Sequence, residues 1–297
     1  MLLAQHVAER LSVASESEVG RYLLIDTAAT FGERVPEALR WSDHALDLLS
    51  GTPPDWRTGA SPVLLRAPTS AIGVGVQGAW LRFAERWRYA NSLTYLESSL
   101  KFDELAAALR PRMSVMLGEN MQVLLRLQDN RTLWSLLSVL DAAQCGRLLC
   151  VARHWAYADR RGEALLADAP RPDRRPQGDA WVEATAYEPL CLSMQQETAM
   201  LEMSDADNTI GVLLEQANSV LLTLLPPEQH SRVSALLLAA NELHIQQTPD
   251  RVAFCATGLE LGEGFQNQQP WVDLLVDVRN ERRRFTDLLS DLERDAA

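Results

Sequence analysis

Residues 73–78 read Gly73-Val74-Gly75-Val76-Gln77-Gly78, the G-x-G-x-x-G spacing with which a backbone turn holds a pyrophosphate against a helix start. Glu97 follows 19 residues after Gly78, roughly where a ribose-binding carboxylate would stand. That chemistry needs the first glycine directly after a buried strand. Here the preceding strand, PVLLR (62–66), ends on Arg66, and Pro68 lies in the gap before Gly73. The spacing fails, so GVGVQG reads as a glycine-rich start of a helix, with a nucleotide-dependent enzyme as the alternative.

Other constellations are weaker. Cys145, Cys150 and His154 form C-x4-C-x3-H, which lacks a fourth ligand at useful spacing. The five histidines include no i, i+4 pair and no H-E-x-x-H. Cys150 with His154 could be drawn as a thiol–imidazole pair, but LLCVA is an apolar run in which a thiol packs and stays inert. There is no G-x-S-x-G elbow and no P-loop. No catalytic residue, metal or cofactor is expected from these patterns. RNERRRF (279–285) carries Arg279, Arg282, Arg283 and Arg284 on an otherwise acidic chain. It reads as the solvent face of a long helix, with a patch for an acidic partner as the functional alternative. Trp271, at an element end, joins these arginines as a candidate partner contact, because tryptophan and arginine dominate interfaces.

The 297 residues carry a net charge of −12, and 47 % are apolar. An acidic surface repels phosphates, so neither nucleic acid nor a membrane surface is an expected partner. Lys101 is the only lysine, which leaves almost no route to Schiff-base chemistry. Four scattered cysteines form no disulfide framework and read as reduced thiols in a cytoplasmic protein. MLLAQHVAERLSVASESE does not read as a signal peptide, since His6, Glu9 and Arg10 interrupt its apolar run.

These residues sit on two kinds of chain. APRPDRRPQGD (169–179), with three prolines and a run of charges, reads as a linker between a lobe at 1–168 and a lobe at 180–297. In the first lobe, strands are expected at 21–28, 62–66, 92–98, around the turn GEN (118–120), and within 148–158. Helices are expected at 1–11, 33–41, 76–88, 102–110 and 131–140, the last capped by Asn130. The fold class is α+β or α/β, a mixed-sheet lobe with flanking helices. The second lobe reads as a helical bundle, with helices at 188–203, 206–225, 227–246, 249–265 and 270–294. Asp205 and Asp207 are placed to cap the second of these.

The ordered blocks of the first lobe resemble the effector adaptor (chaperone) family of bacterial type VI secretion, first catalogued as a domain of unknown function. RYLLIDTA, with Tyr22 and Asp26, resembles its opening strand; ALDLLSGTPPD and GASPVLLR, with Pro62, its small loop and proline-led strand. VLLRLQDNRTLWSLLSVLDAAQCGRLL resembles its arginine strand, Asp–Pro–Arg and leucine-rich helix, with Arg126, Asp129 and Arg131 in place and Asn130 where the proline stands. The resemblance implies a non-enzymatic protein that binds its cognate secreted effector in the producing cell and helps load it onto the VgrG spike protein. On this view GVGVQG has no nucleotide role, and the arginine–aspartate cluster holds the fold. A structural subunit of a larger secretion assembly is the remaining alternative.

Overall fold

A computed structural model describes residues 1–12, 19–26, 45–50, 61–66, 89, 91–118, 121–167 and 187–296. The fold is α+β. The chain divides into two compact units, Met1–Met200 and Leu201–Ala297. The expected linker at 169–179 lies outside the described residues, as do GVGVQG and the expected helices at 33–41 and 76–88.

The first unit is built on a six-stranded sheet. Its strands are β1 (Gly20–Asp26), β2 (Ala45–Asp47), β3 (Pro62–Arg66), β4 (Leu93–Ser98), β7 (His154–Ala158) and β8 (Ala164–Ala167). Their order is β2-β3-β1-β4-β7-β8, with every pairing antiparallel. β1 is central, Leu24 lying opposite Leu64 on one side and Thr94 on the other. Side chains alternate across a strand, and both faces here are covered, which is why YLLI is continuously apolar. Leu23 and Ile25 point to one face, where α1 (Leu3–Ser12) lays down Leu3, Ala4, Val7 and Leu11. Tyr22 and Leu24 point to the other.

That other face is packed by α2 (Phe102–Leu109), α3 (Asn130–Val139) and α4 (Ala142–Leu149), and by a second sheet. The second sheet pairs β5 (Ser114–Leu117) antiparallel with β6 (Met121–Leu124) and parallel with β9 (Leu190–Cys191). The expected helix at 188–203 is therefore corrected. Leu190 and Cys191 join the edge of β5, and Leu192 N–H donates to the Met116 carbonyl at 2.9 Å, before α5 (Met194–Glu215) starts. Ser193 and Gln196 form a reciprocal capping box at that start. The run 148–158, expected as one or two strands, contributes one, because α4 extends through Leu149 with Cys150 as its exposed C-cap. One further reading changes. Asn130 is not the cap of α3: Asp129 is, accepting from Arg131 N–H at 3.0 Å.

Among the described residues the second unit contains only helices: the end of α5, then α6 (Ser219–Thr223), α7 (Pro226–Glu242), α8 (Thr248–Leu261), α9 (Trp271–Leu274), α10 (Val276–Arg279) and α11 (Phe285–Ala296). Pro226 sits in the first turn of α7 and Pro249 in that of α8, positions where a missing N–H costs nothing. Gly262 (φ 98°) stops α8, in a conformation that a side chain resists. Gly258 faces Leu236, whose Cδ2 lies 2.3 Å from where a Cβ would be, so α7 and α8 meet closely there. Asp205 and Asp207 stand inside α5 and not at a helix start, and Asp205 pairs with Arg251.

The expected single helix at 270–294 is three. Glu281 takes φ 56° after α10, and α11 restarts at Phe285. The buried carboxylate of Asp250 (on α8) rebuilds the start: it accepts from Thr286 N–H (3.0 Å), Thr286 Oγ1 (2.7 Å) and Arg284 Nε (3.1 Å). Burial works to raise its pKa, but these donors outweigh burial and hold it below the ordinary aspartate value.

Candidate functional site

The residues that the sequence singles out in the first unit converge at one end of the six-stranded sheet. Asp26 closes β1 and sits in register with Pro62, the first residue of β3. Its backbone N–H donates to the Ser92 carbonyl at 2.8 Å, just before β4. Its buried side chain accepts from Arg126 Nη2 at 2.5 Å, across 100 residues of chain. Arg126 follows β6 and is half exposed. The expected Arg126–Asp129–Arg131 cluster thus divides. Arg126 pairs with the sheet, whereas Asp129 receives both the backbone N–H and the guanidinium of Arg131, Nε at 3.0 Å and Nη2 at 2.7 Å. A carboxylate at a helix start meets free N–H groups and the positive end of the dipole, so one side chain both caps and neutralises.

Asn130, which stands where the resemblance expects a proline, ties the helix to the sheet. Its backbone N–H donates to the Asn91 carbonyl (2.8 Å), its Nδ2 to the Leu93 carbonyl (3.0 Å), and its Oδ1 accepts from Thr94 Oγ1 (3.0 Å). The start of α3 is thereby fastened to β4 through a buried side chain that proline does not have. A small pocket beside this junction is lined by Pro62, Arg126, Gln128, Leu49, Met113 and Leu125, among others. Tyr22 stands apart: its ring is buried beside Phe102 and its hydroxyl donates to the Leu100 carbonyl at 2.7 Å.

The junction has a measurable signature. Asp26→Asn keeps the shape and removes the charge, and is expected to destabilise the protein by about 1–2 kcal/mol, because Arg126 is half in water and recovers part of its solvation. In a double-mutant cycle with Arg126→Gln, urea unfolding is expected to show a coupling of roughly 1 kcal/mol; additive losses would mean that the two side chains act separately.

Residues 21–147 match the family model described as Domain of unknown function (DUF4123). The match runs from β1 into α4 and includes Tyr22, Asp26, Pro62, Arg126, Asp129 and Arg131. No curated protein and no solved structure matches the chain. Outside the DUF4123 segment stand α1, β7, β8 and the whole second unit.

Two polar clusters in the first unit escaped the sequence reading. On the α1 face, Glu97 is 1 % exposed. It accepts from Arg10 Nε (2.8 Å) and from the Tyr95 hydroxyl (2.9 Å), with Arg10 Nη2 also in contact and Arg153 Nε at 3.6 Å. Beside it the Nε2 atoms of His6 and His154 lie 3.2 Å apart. Glu97, placed by spacing at a ribose, is instead consumed by this network. Burial would raise its pKa, but the donors outweigh burial and hold it below the ordinary glutamate value. His6 is lowered by burial, and then by the charges of His154 and Arg10. The signal was present, since a glutamate in the otherwise buried strand LTYLES needs partners.

On the other face, Arg112 is buried against backbone carbonyls. It donates to the carbonyls of Ala108 (2.6 Å), Leu148 (3.1 Å) and Arg147 (3.1 Å) and to Cys150 Sγ (3.4 Å), and lies 4.1 Å from the Tyr187 ring centre. Nothing in RPRM announces this. Cys150 and His154 are thus engaged by different partners, Arg112 and His6. Among the described residues no group of three or more His, Cys, Asp or Glu is placed to hold a metal, and no helix is long and apolar enough to cross a membrane. Cys255 is buried, and burial pushes its thiol up to about 12.

In the second unit, Trp271 is not a free surface residue. Its ring packs edge-on to Phe265 (5.1 Å) and near Phe285 (6.3 Å). The break before α11 disperses the arginines: Arg282 faces Asp277 at 3.8 Å, Arg283 pairs with Asp291, and Arg284 with Asp250. Arg279, Arg282 and Arg284 are exposed, and Arg283 is partly buried. The expected arginine face is therefore largely neutralised by the unit's own carboxylates.

Proposed function

We propose that this chain is a non-enzymatic adaptor that binds a type VI secretion effector in the cytoplasm of the producing cell and helps load it onto the VgrG spike protein. The observation that carries the reading is the match of residues 21–147 to DUF4123, a family linked with effector adaptors of this system. The convergence of the motif residues on one structural junction supports it from a second side. Arg126 binds Asp26 at the sheet end beside Pro62, Asp129 caps α3 and holds Arg131, and Asn130 fastens that helix to β4, which is what a binding scaffold asks of its polar groups. Cargo choice belongs to residues 180–297, which lie C-terminal to the family match.

The test is a pull-down with the tagged, full-length protein, co-expressed with the proteins encoded beside its gene. Recovery of one large neighbour, with or without a VgrG spike protein, is the expected result. A folded bait that recovers no neighbour would overturn the proposal.

A further inference from the structure

The second unit is far more acidic than the first. Residues 201–297 hold 16 Asp and Glu against seven Arg, so this third of the chain carries −9 of the total −12. It also exposes large apolar side chains, and two of them, Leu225 and Leu238, fall in one row with Ala235. On α7 the inward face is Val233, Leu236, Leu237 and Ala240. The outward face, spaced at three and four residues, runs Leu225, Glu228, Ser231, Ala235, Leu238 and Glu242, all exposed. Leu225, at the helix start, is 55 % exposed and Leu238 is 65 % exposed. The Glu228 carboxylate accepts from Leu225 N–H, which fixes Leu225 at the head of the row. Leu222, three residues earlier, is exposed too. A single exposed leucine needs no explanation, but a row framed by carboxylates on a strongly acidic unit does.

We infer that this face of α7 docks a cationic amphipathic helix of the partner protein. Leu225 and Leu238 are 13 residues apart, about 20 Å along the helix, so a partner helix of roughly 14 residues spans them. Its apolar residues, recurring about every three to four positions along that span, lie on Leu225, Ala235 and Leu238. Lysines or arginines beside them meet Glu228 and Glu242. An acidic or neutral helix meets the same leucines but also the field of nine excess negative charges, which sets the choice of partner. Arg232, also exposed on this side, takes one acidic residue of the partner and orients it. The inference rests on the adaptor reading only for the identity of the partner as cargo.

The test uses the full chain and two labelled 14-residue amphipathic peptides, one of Leu and Lys, one of Leu and Glu, titrated by fluorescence anisotropy at physiological salt. The Leu/Lys peptide is expected to bind and the Leu/Glu peptide not. The double variant Leu225→Ala/Leu238→Ala keeps the charge and the helix, and is expected to weaken binding at least about tenfold. Leu166→Ala, on β8 of the first unit, is expected to leave it unchanged. Equal binding of the two peptides, no binding of either, or wild-type affinity in the double variant would each overturn the inference. In the neighbour pull-down, the double variant is expected to lose the cargo that wild type recovers. Undiminished recovery by the variant sinks this docking face and leaves the adaptor reading standing. Recovery of no cargo by wild type, with the peptide results as expected, sinks the adaptor reading alone.

Discussion

Arg112→Ala is expected to cost about 3–5 kcal/mol, the largest loss from any single truncation considered for the first unit. The guanidinium reaches the carbonyls of Ala108 in α2 and of Arg147 and Leu148 in α4, three acceptors in the last turns of their helices. Its removal takes this donor from all three carbonyls, that of Arg147 keeping the Cys150 thiol, at roughly 1–3 kcal/mol for each acceptor left buried without a partner, and empties the space against Tyr187. Burial lowers the pKa of Arg112, so its charge is itself unfavourable there, and what the fold gains is the donor geometry. Arg112→Lys separates the two. A point charge with three donors cannot serve acceptors spread around a planar fork, so the lysine variant is expected to lose more than half of what alanine loses. Urea unfolding of both variants checks this, and a lysine variant as stable as wild type would show that charge alone suffices.

Glu97→Ala is expected to cost about 2–4 kcal/mol and to loosen α1 from the sheet. The carboxylate is buried, but Arg10 and Arg153 are each about half exposed, so their charges recover water when it is gone and the loss stays below that of a fully enclosed pair. The effect has a pH signature with two limbs. His6 has its pKa lowered in the fold, so the native state prefers it neutral, and stability falls as pH drops below about 6.5, the unfolded histidine value. Glu97 has its pKa lowered too, so its contribution is full above the unfolded value of about 4.3 and is lost as pH falls through the folded value. Hydrogen exchange at the amides of β4 and β7 is expected to accelerate from pH 7 to 5 beyond its intrinsic pH trend. His6→Gln is expected to flatten that limb, whereas Glu97→Ala is expected to flatten the one below it. Wild-type protection that is constant down to pH 5 would show that the histidine pair does not hold the helix.

Much of the fold was legible in local pattern. RYLLID, PVLLR and SLTYLES are short apolar runs, and each holds a strand of the central sheet. Pro226, Pro249, Gly262 and Gly264 mark helix ends because their backbone constraints act within a few residues. The misreadings share one cause. Leu190–Cys191 has a helical neighbour and an apolar run, and becomes a strand only because the edge of β5 is beside it. Residues 270–294 have helical spacing throughout, and break only because Asp250, from another helix, caps a new start at Thr286.

The polar groups divide in the same way. Asp129 as a partner of Arg131 is a contact two residues apart, visible in the spacing, whereas Arg126 could have completed that cluster and instead reaches Asp26, which precedes it by 100 residues. Glu97 with Arg10, and Arg112 with three carbonyls, are likewise assembled by strand order and helix placement. Periodicity, capping and turn chemistry act over one or two turns of chain, so the residues alone determine where elements start, stop and turn an apolar face. Which charge meets which across the sheet depends on register and crossover, because a buried carboxylate takes whatever donor the packed layers bring within about 3 Å.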